Sequence, residues 1–116
     1  PGILPAGCTV TGLGGARVNL DPEQAANAST ITAVSVERRL PQRAAVIAVA
    51  TAMQESKLRN LDHGDRDSLG LFQQRPSQGW GTPAQVRDPH YAAEAFYDHL
   101  VRVRGRAPPL GRALLE

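Results

Sequence analysis

Residues 44–53 read AAVIAVATAM, with Thr51 the one polar residue in the run, and Glu55 follows two positions later. A segment this long and this apolar is expected to be buried on most of its sides, so the fold has to be built around it. Pro41 stands just before it, ending one helix and opening a second over residues 42 to about 55. This second helix is expected to be the central one. Glu55 then falls at its C-terminal end, where burial and the negative end of the helix dipole both disfavour a charged carboxylate. Such a setting suits a carboxylic acid that must hold a proton near neutral pH. The alternative is a helix-terminal glutamate turned out to solvent.

The other elements are short. Cys8–Thr11 and Ala16–Leu20 flank Gly12-Leu13-Gly14-Gly15, the pattern of a β-hairpin. Asp21-Pro22-Glu23-Gln24 supplies an N-cap, a proline at the first helical position and a glutamine three residues after the cap. That helix is predicted to run to about Arg39 and to bury Ala28, Ile31 and Val34. The polar stretch Asn60–Ser68 reads as a loop, and Gly70–Gln73 as a strand edge or a helical turn. Thr82-Pro83-Ala84-Gln85 repeats the cap signature over one helical turn. Asp88-Pro89 opens a last helix with Ala92, Phe96, Leu100 and Val103 on one stripe. Residues 1–7 read as a flexible lead-in. From Arg104 the sequence RGRAPPLGRALLE carries no clean helical stripe, and Leu115-Glu116 reads as a cloning remnant. The expected class is mainly α (α+β), with one domain over residues 8–103 and an atypical tail over 104–116.

A chain of 116 residues is one small domain. Its net charge of +2 is only mildly basic, which fits an anionic partner such as a cell wall. No dense Lys/Arg run lies among aromatics, which argues against nucleic acid. A single cysteine, Cys8, excludes an intrachain disulfide and reads as a half-buried strand residue. No stretch approaches the roughly 18 apolar residues of a membrane span. The chain begins at Pro1, so it reads as a fragment or a processed form from which any export signal is already gone. His63, His90 and His99 are scattered without ligand spacing, and the Asp-rich loop lacks the EF-hand order. Neither a metal nor a cofactor is expected.

After Glu55 come Ser56, a polar loop with Asp62, Asp65 and Asp67, and then Ser68-Leu69-Gly70-Leu71-Phe72-Gln73-Gln74. This succession resembles the glutamate motif and the G-L-M-Q motif of soluble lytic transglycosylases and goose-type lysozymes. Asp88–Leu100 is similar to that family's D-P-x-x-N-I-x-x-G-x-x-Y-L helix, without its Asn and Gly. More closely, QESKLRN, GDRDSLGLFQQRPSQGWG and DPHYA resemble strings shared by secreted lysozyme-like proteins of high-GC Gram-positive bacteria. The likeness extends from Cys8 to about Val103. It implies a lysozyme-like helical domain, secreted or cell-wall associated, acting on peptidoglycan glycan strands. The family's C-terminal helices, which close its cleft, are missing or replaced here. Their loss implies uncovered apolar faces, and with them self-association or a loosely packed C-terminus.

Cutting the β-1,4 bond between N-acetylmuramic acid and N-acetylglucosamine requires a proton on the glycosidic oxygen as an oxocarbenium-like centre develops. By resemblance, Glu55 is that acid. It is then also the base that takes the proton of the sugar's own 6-hydroxyl, leaving a 1,6-anhydro end. An inverting hydrolase needs a second carboxylate about 6.5–9.5 Å away. Asp62, Asp65 and Asp67 are the candidates, against the ordinary use of such loops in turns and caps. Ser68, Gln73 and Gln74 stand where the family contacts N-acetyl groups and sugar hydroxyls, and an amide both donates and accepts. Trp80, the sole tryptophan, is either a stacking face for a sugar or a hydrophobic plug. Tyr91 and Tyr97 are placed to line the cleft, and Phe96 to pack in the core. Two other classes stay open: a non-catalytic module that holds peptidoglycan, and a truncated fragment left inactive without its closing helices.

Overall fold

The computed structural model describes residues 8–11, 15 and 17–106, without the side chains of residues 8, 10, 11 and 104–106. The readings of residues 1–7, of the Cys8 side chain and of the tail after Arg106 lie outside the described residues. The fold is mainly helical. Strands β1 (Cys8–Thr11) and β2 (Arg17–Leu20) pair antiparallel, in register from Cys8↔Leu20 to Thr11↔Arg17.

Helix α1 (Pro22–Glu37) begins at a complete capping box: Asp21 accepts from the Gln24 N–H, and the Gln24 side chain accepts from the Asp21 N–H. It stops two residues short of the expected Arg39, because Arg39 turns left-handed and the Leu40 N–H closes onto the Ser35 carbonyl. Ile31 and Val34 are buried, and Ala28 packs at the core's margin.

Helix α2 (Gln42–Ser56) buries Ala44, Ala45, Ala48, Ala52 and Ser56. All but Ala45 recur every four residues, a single stripe down the helix. With no side chain beyond Cβ, these alanines let α1 and α4 approach closely. The other side is open: Val46 is 55% exposed, and Val49, Ala50 and Met53 join Val18 and Leu20 along an apolar groove. The expectation of a helix buried nearly all round is therefore corrected. One stripe of small residues anchors it, and its outer side forms part of a continuous apolar surface.

What ends α2 places Glu55. Lys57 and Leu58 are both left-handed, a conformation costing a non-glycine residue roughly 1–2 kcal/mol. Against that cost, Leu58 is fully buried, and Gln24 and Asn27 of α1 donate to the Lys57 and Leu58 carbonyls. Arg59 adds ion pairs to Asp21 and Glu23. The helix is thus cut off directly after Ser56, with Glu55 in its last turn.

Gly70–Gln73 forms a tight turn, closed by reciprocal backbone bonds between Leu69 and Gln74, and its Leu71 and Phe72 are buried. A 3-10 turn (Pro76–Gln78) and the single-turn helix α3 (Pro83–Val86) lead to α4 (Pro89–Arg106). Helix α4 packs on α1, α2 and α3. Its buried residues are Ala92, Ala93 and Tyr97, whereas Val103 is 60% exposed. Of the expected stripe, Ala92 is buried and Phe96 and Leu100 pack against the core, but Tyr97 joins them because its hydroxyl donates to the Ile31 carbonyl at 2.9 Å, which satisfies the phenol inside the core. Tyr97 is accordingly a core residue and not a cleft residue. Among the described residues, no helix is long and apolar enough to cross a membrane.

Candidate active site

Thr51 and Glu55 are four residues apart on α2 and share a face, one step around the helix from the buried Ala52 and Ser56. Ser56 turns inward, and its hydroxyl lies 2.7 Å from the Leu71 carbonyl and 3.1 Å from that of Ala52. That link brings the Gly70–Gln73 turn against the end of α2. The result is an open cleft of about 340 Å³ lined by Thr51, Glu55, Phe72, Gln73, Gln74, Arg75, Trp80 and Phe96. Four residues expected to act on substrate, Glu55, Gln73, Gln74 and Trp80, thus meet in one place.

Glu55 is exposed. Of the two readings of this position, the buried carboxyl is corrected and the solvent-facing glutamate is the one found: the apolar run faces the core and the open groove, and Glu55 lies on the flank between core and solvent. Among the described residues lining the cleft, it is the only carboxylate.

Two of the three loop carboxylates are engaged elsewhere. Asp67 binds Arg75 Nε through one oxygen and the Ser77 N–H through the other. The Arg75 bond, followed by the Ser77 contacts, holds Asp67 well below the usual carboxylate range. Asp62 pairs with His63, which lowers it as well. Asp65 is exposed, and neither Asp65 nor Asp67 lines the cleft. Ser68 is buried outside the cleft lining, and Tyr91 lies beside Gly81.

The two glutamines are partly committed. Gln73 Nε2 donates to the carbonyls of Gly70 and His63, which ties the loop to the turn and leaves its carbonyl oxygen. Gln74 is buried and donates to the Ala92 carbonyl, while its Oε1 has no partner. An orphaned buried acceptor beside a cleft is costly and uncommon.

Sequence reasoning proposed Trp80 but missed the two phenylalanines of this cleft. Phe96 lines it and stacks on Phe72, with ring centroids 4.7 Å apart. Arg75 lines it through the chain geometry of the turn, and no motif singled it out. The histidines lie apart: His63 by Asp62, His90 near Glu37, His99 against Trp80. Among the described residues, no three of His, Cys, Asp or Glu converge as a metal site.

No family model, curated protein or solved structure matches the chain. The likeness to soluble lytic transglycosylases therefore rests on the motifs themselves.

Proposed function

We propose that this chain is a lysozyme-like domain that cleaves the β-1,4 bond between N-acetylmuramic acid and N-acetylglucosamine in peptidoglycan, by the lytic transglycosylase route. One observation carries this reading: among the described residues, Glu55 is the sole carboxylate of a cleft that also holds two glutamine amides and a tryptophan. A single carboxyl can act first as acid and then as base, provided the nucleophile is the sugar's own 6-hydroxyl, whereas an inverting hydrolase needs a second carboxylate. Glu55 protonates the glycosidic oxygen; its carboxylate then takes the 6-hydroxyl proton as that oxygen closes on the anomeric carbon. Gln73 lines the cleft, and its amide, which both donates and accepts, suits an acetamido group. Because Glu55 is exposed, exclusion of water from its carboxyl falls to the bound glycan.

That exposure also favours a second reading, a lysozyme-like module that holds peptidoglycan without cutting it. Incubation with purified sacculi and mass analysis of released fragments decides between them. Fragments with 1,6-anhydro ends are expected. Reducing ends would make the chain a hydrolase, and binding without release would favour the second reading.

A further inference from the structure

Trp80 stands between Gly79, at φ +84°, and Gly81, at φ +143°. Two glycines in such conformations leave the backbone free to turn the indole in many directions. The indole is instead held from α4. The imidazole of His99 stacks on it with ring centroids 3.8 Å apart and planes 23° from parallel. His99 is itself fixed to its helix, with Nδ1 3.2 Å from the Ala95 carbonyl. Trp80 lines the Glu55 cleft and His99 does not, so the imidazole backs the indole from outside the lining. On the same helix face, one turn earlier, Phe96 backs onto Phe72 in the cleft.

We infer that His99 is a positioning residue for glycan binding: it clamps the Trp80 indole as a wall of the Glu55 cleft, and a pyranose ring stacks on the face His99 leaves uncovered. This rests on the reading of the cleft as a glycan site. A sugar presents C–H groups on its ring faces, and an indole offers a broad apolar surface to them. A wall already held in place spares the ligand the cost of ordering it. Immobilising one such side chain is worth roughly threefold to tenfold in affinity.

Trp80 is the only tryptophan, so fluorescence excited at the red edge of the indole band, where Tyr91 and Tyr97 do not absorb, reports on it alone. The whole chain is titrated with an N-acetylglucosamine tetramer, followed by fluorescence and by calorimetry, as wild type, His99→Ala and His99→Phe. His99 is exposed, which favours folding of both variants. His99→Ala is expected to change the emission of the free chain and to weaken tetramer binding by about threefold to tenfold. His99→Phe keeps a ring on the indole and is expected to restore binding. In cleavage of soluble glycan, His99→Ala should raise KM and leave kcat near wild type. Wild-type affinity in His99→Ala, or failure of His99→Phe to restore a lost affinity, overturns the role of His99 and leaves the glycan cleft standing. Absence of tetramer binding to the wild type in both measurements overturns the two readings together.

Discussion

The Ser56 hydroxyl lies 2.7 Å from the Leu71 carbonyl, a bond that joins the residue after Glu55 to the turn bearing Gln73 and Gln74. The hydroxyl has a single proton, and the carbonyl of Ala52 is the longer of its two contacts. Both residues are buried, so the Leu71 carbonyl has no water to replace Ser56. The pair Glu55-Ser56 thus divides the work between cleft and scaffold.

Ser56→Ala is expected to lower stability by about 1–3 kcal/mol, the cost of an unpaired buried acceptor. Urea unfolding measures it. A midpoint unchanged from wild type would mean that the turn is held without this bond.

Two glycines of the loop and turn are expected to differ sharply when replaced by alanine. At Gly70, φ is +80° and a Cβ would meet the backbone carbonyl of Val86, so neither partner can yield. Gly70→Ala should cost at least about 3 kcal/mol from conformational strain and overpacking together. Gly64 is outside the left-handed region; a Cβ there displaces the end of the Gln73 side chain and comes within 2.9 Å of the Ser68 carbonyl oxygen, a milder backbone contact than the one with Val86 at Gly70. Gly64→Ala should cost about 1 kcal/mol, and little more when combined with Gln73→Ala. Thermal unfolding of the two single variants and the double variant tests both. Equal losses at Gly64 and Gly70 would contradict this account.

Local chemistry was legible in the sequence. The capping boxes at Asp21 and Thr82 form as their spacing requires, and Pro41 marks the boundary between α1 and α2. Faces were harder. The alanine run reads as apolar all round, and hydropathy does not say which side a neighbour covers; hence the exposure of Val46 was unforeseen, and the choice between a buried and a solvent-facing Glu55 had to come from the fold. On α4, Phe96 outranks Tyr97 as a core residue until the Ile31 carbonyl is seen to receive the phenol. The contact of His99 with Trp80 joins a helix to a glycine-flanked loop, a tertiary pairing that leaves no periodic trace. Motif spacing assembled Glu55, Gln73, Gln74 and Trp80, but it could not show that Asp67 is taken by Arg75.

Acid sensitivity follows from carboxylates that the fold holds ionised. Asp67 is lowered first by Arg75, and Asp21 first by the Gln24 N–H and then by Arg59. In each, the folded value lies below the unfolded one. The stabilisation is therefore present above the unfolded carboxylate value of about 3.9 and is lost as pH falls through it toward the folded value. The wild-type melting temperature should drop below about pH 4, and Asp67→Asn, weaker at neutral pH, should converge on it in acid. Both side chains lie near solvent, so salt should shrink the difference. Curves that stay parallel down to acid would remove Asp67 from the response.

Glu55 is exposed and accepts no side-chain hydrogen bond among the described residues, so its carboxylate is free of any structural duty seen there. Glu55→Gln keeps the shape and removes the transferable proton. Its melting temperature should match wild type, which separates this position from Ser56 next to it. Cleavage of sacculi should fall by about 10²–10⁴-fold, the usual share of acid–base catalysis, while tetramer binding persists. The contrast with His99→Ala is in the kinetic split: Glu55→Gln lowers kcat at near-constant KM, as expected for a group that acts in the transition state. Undiminished cleavage in Glu55→Gln would take Glu55 out of the mechanism. Because Asp67 is engaged by Arg75 and Ser77, the exposed Asp65 would then be the next carboxylate to replace.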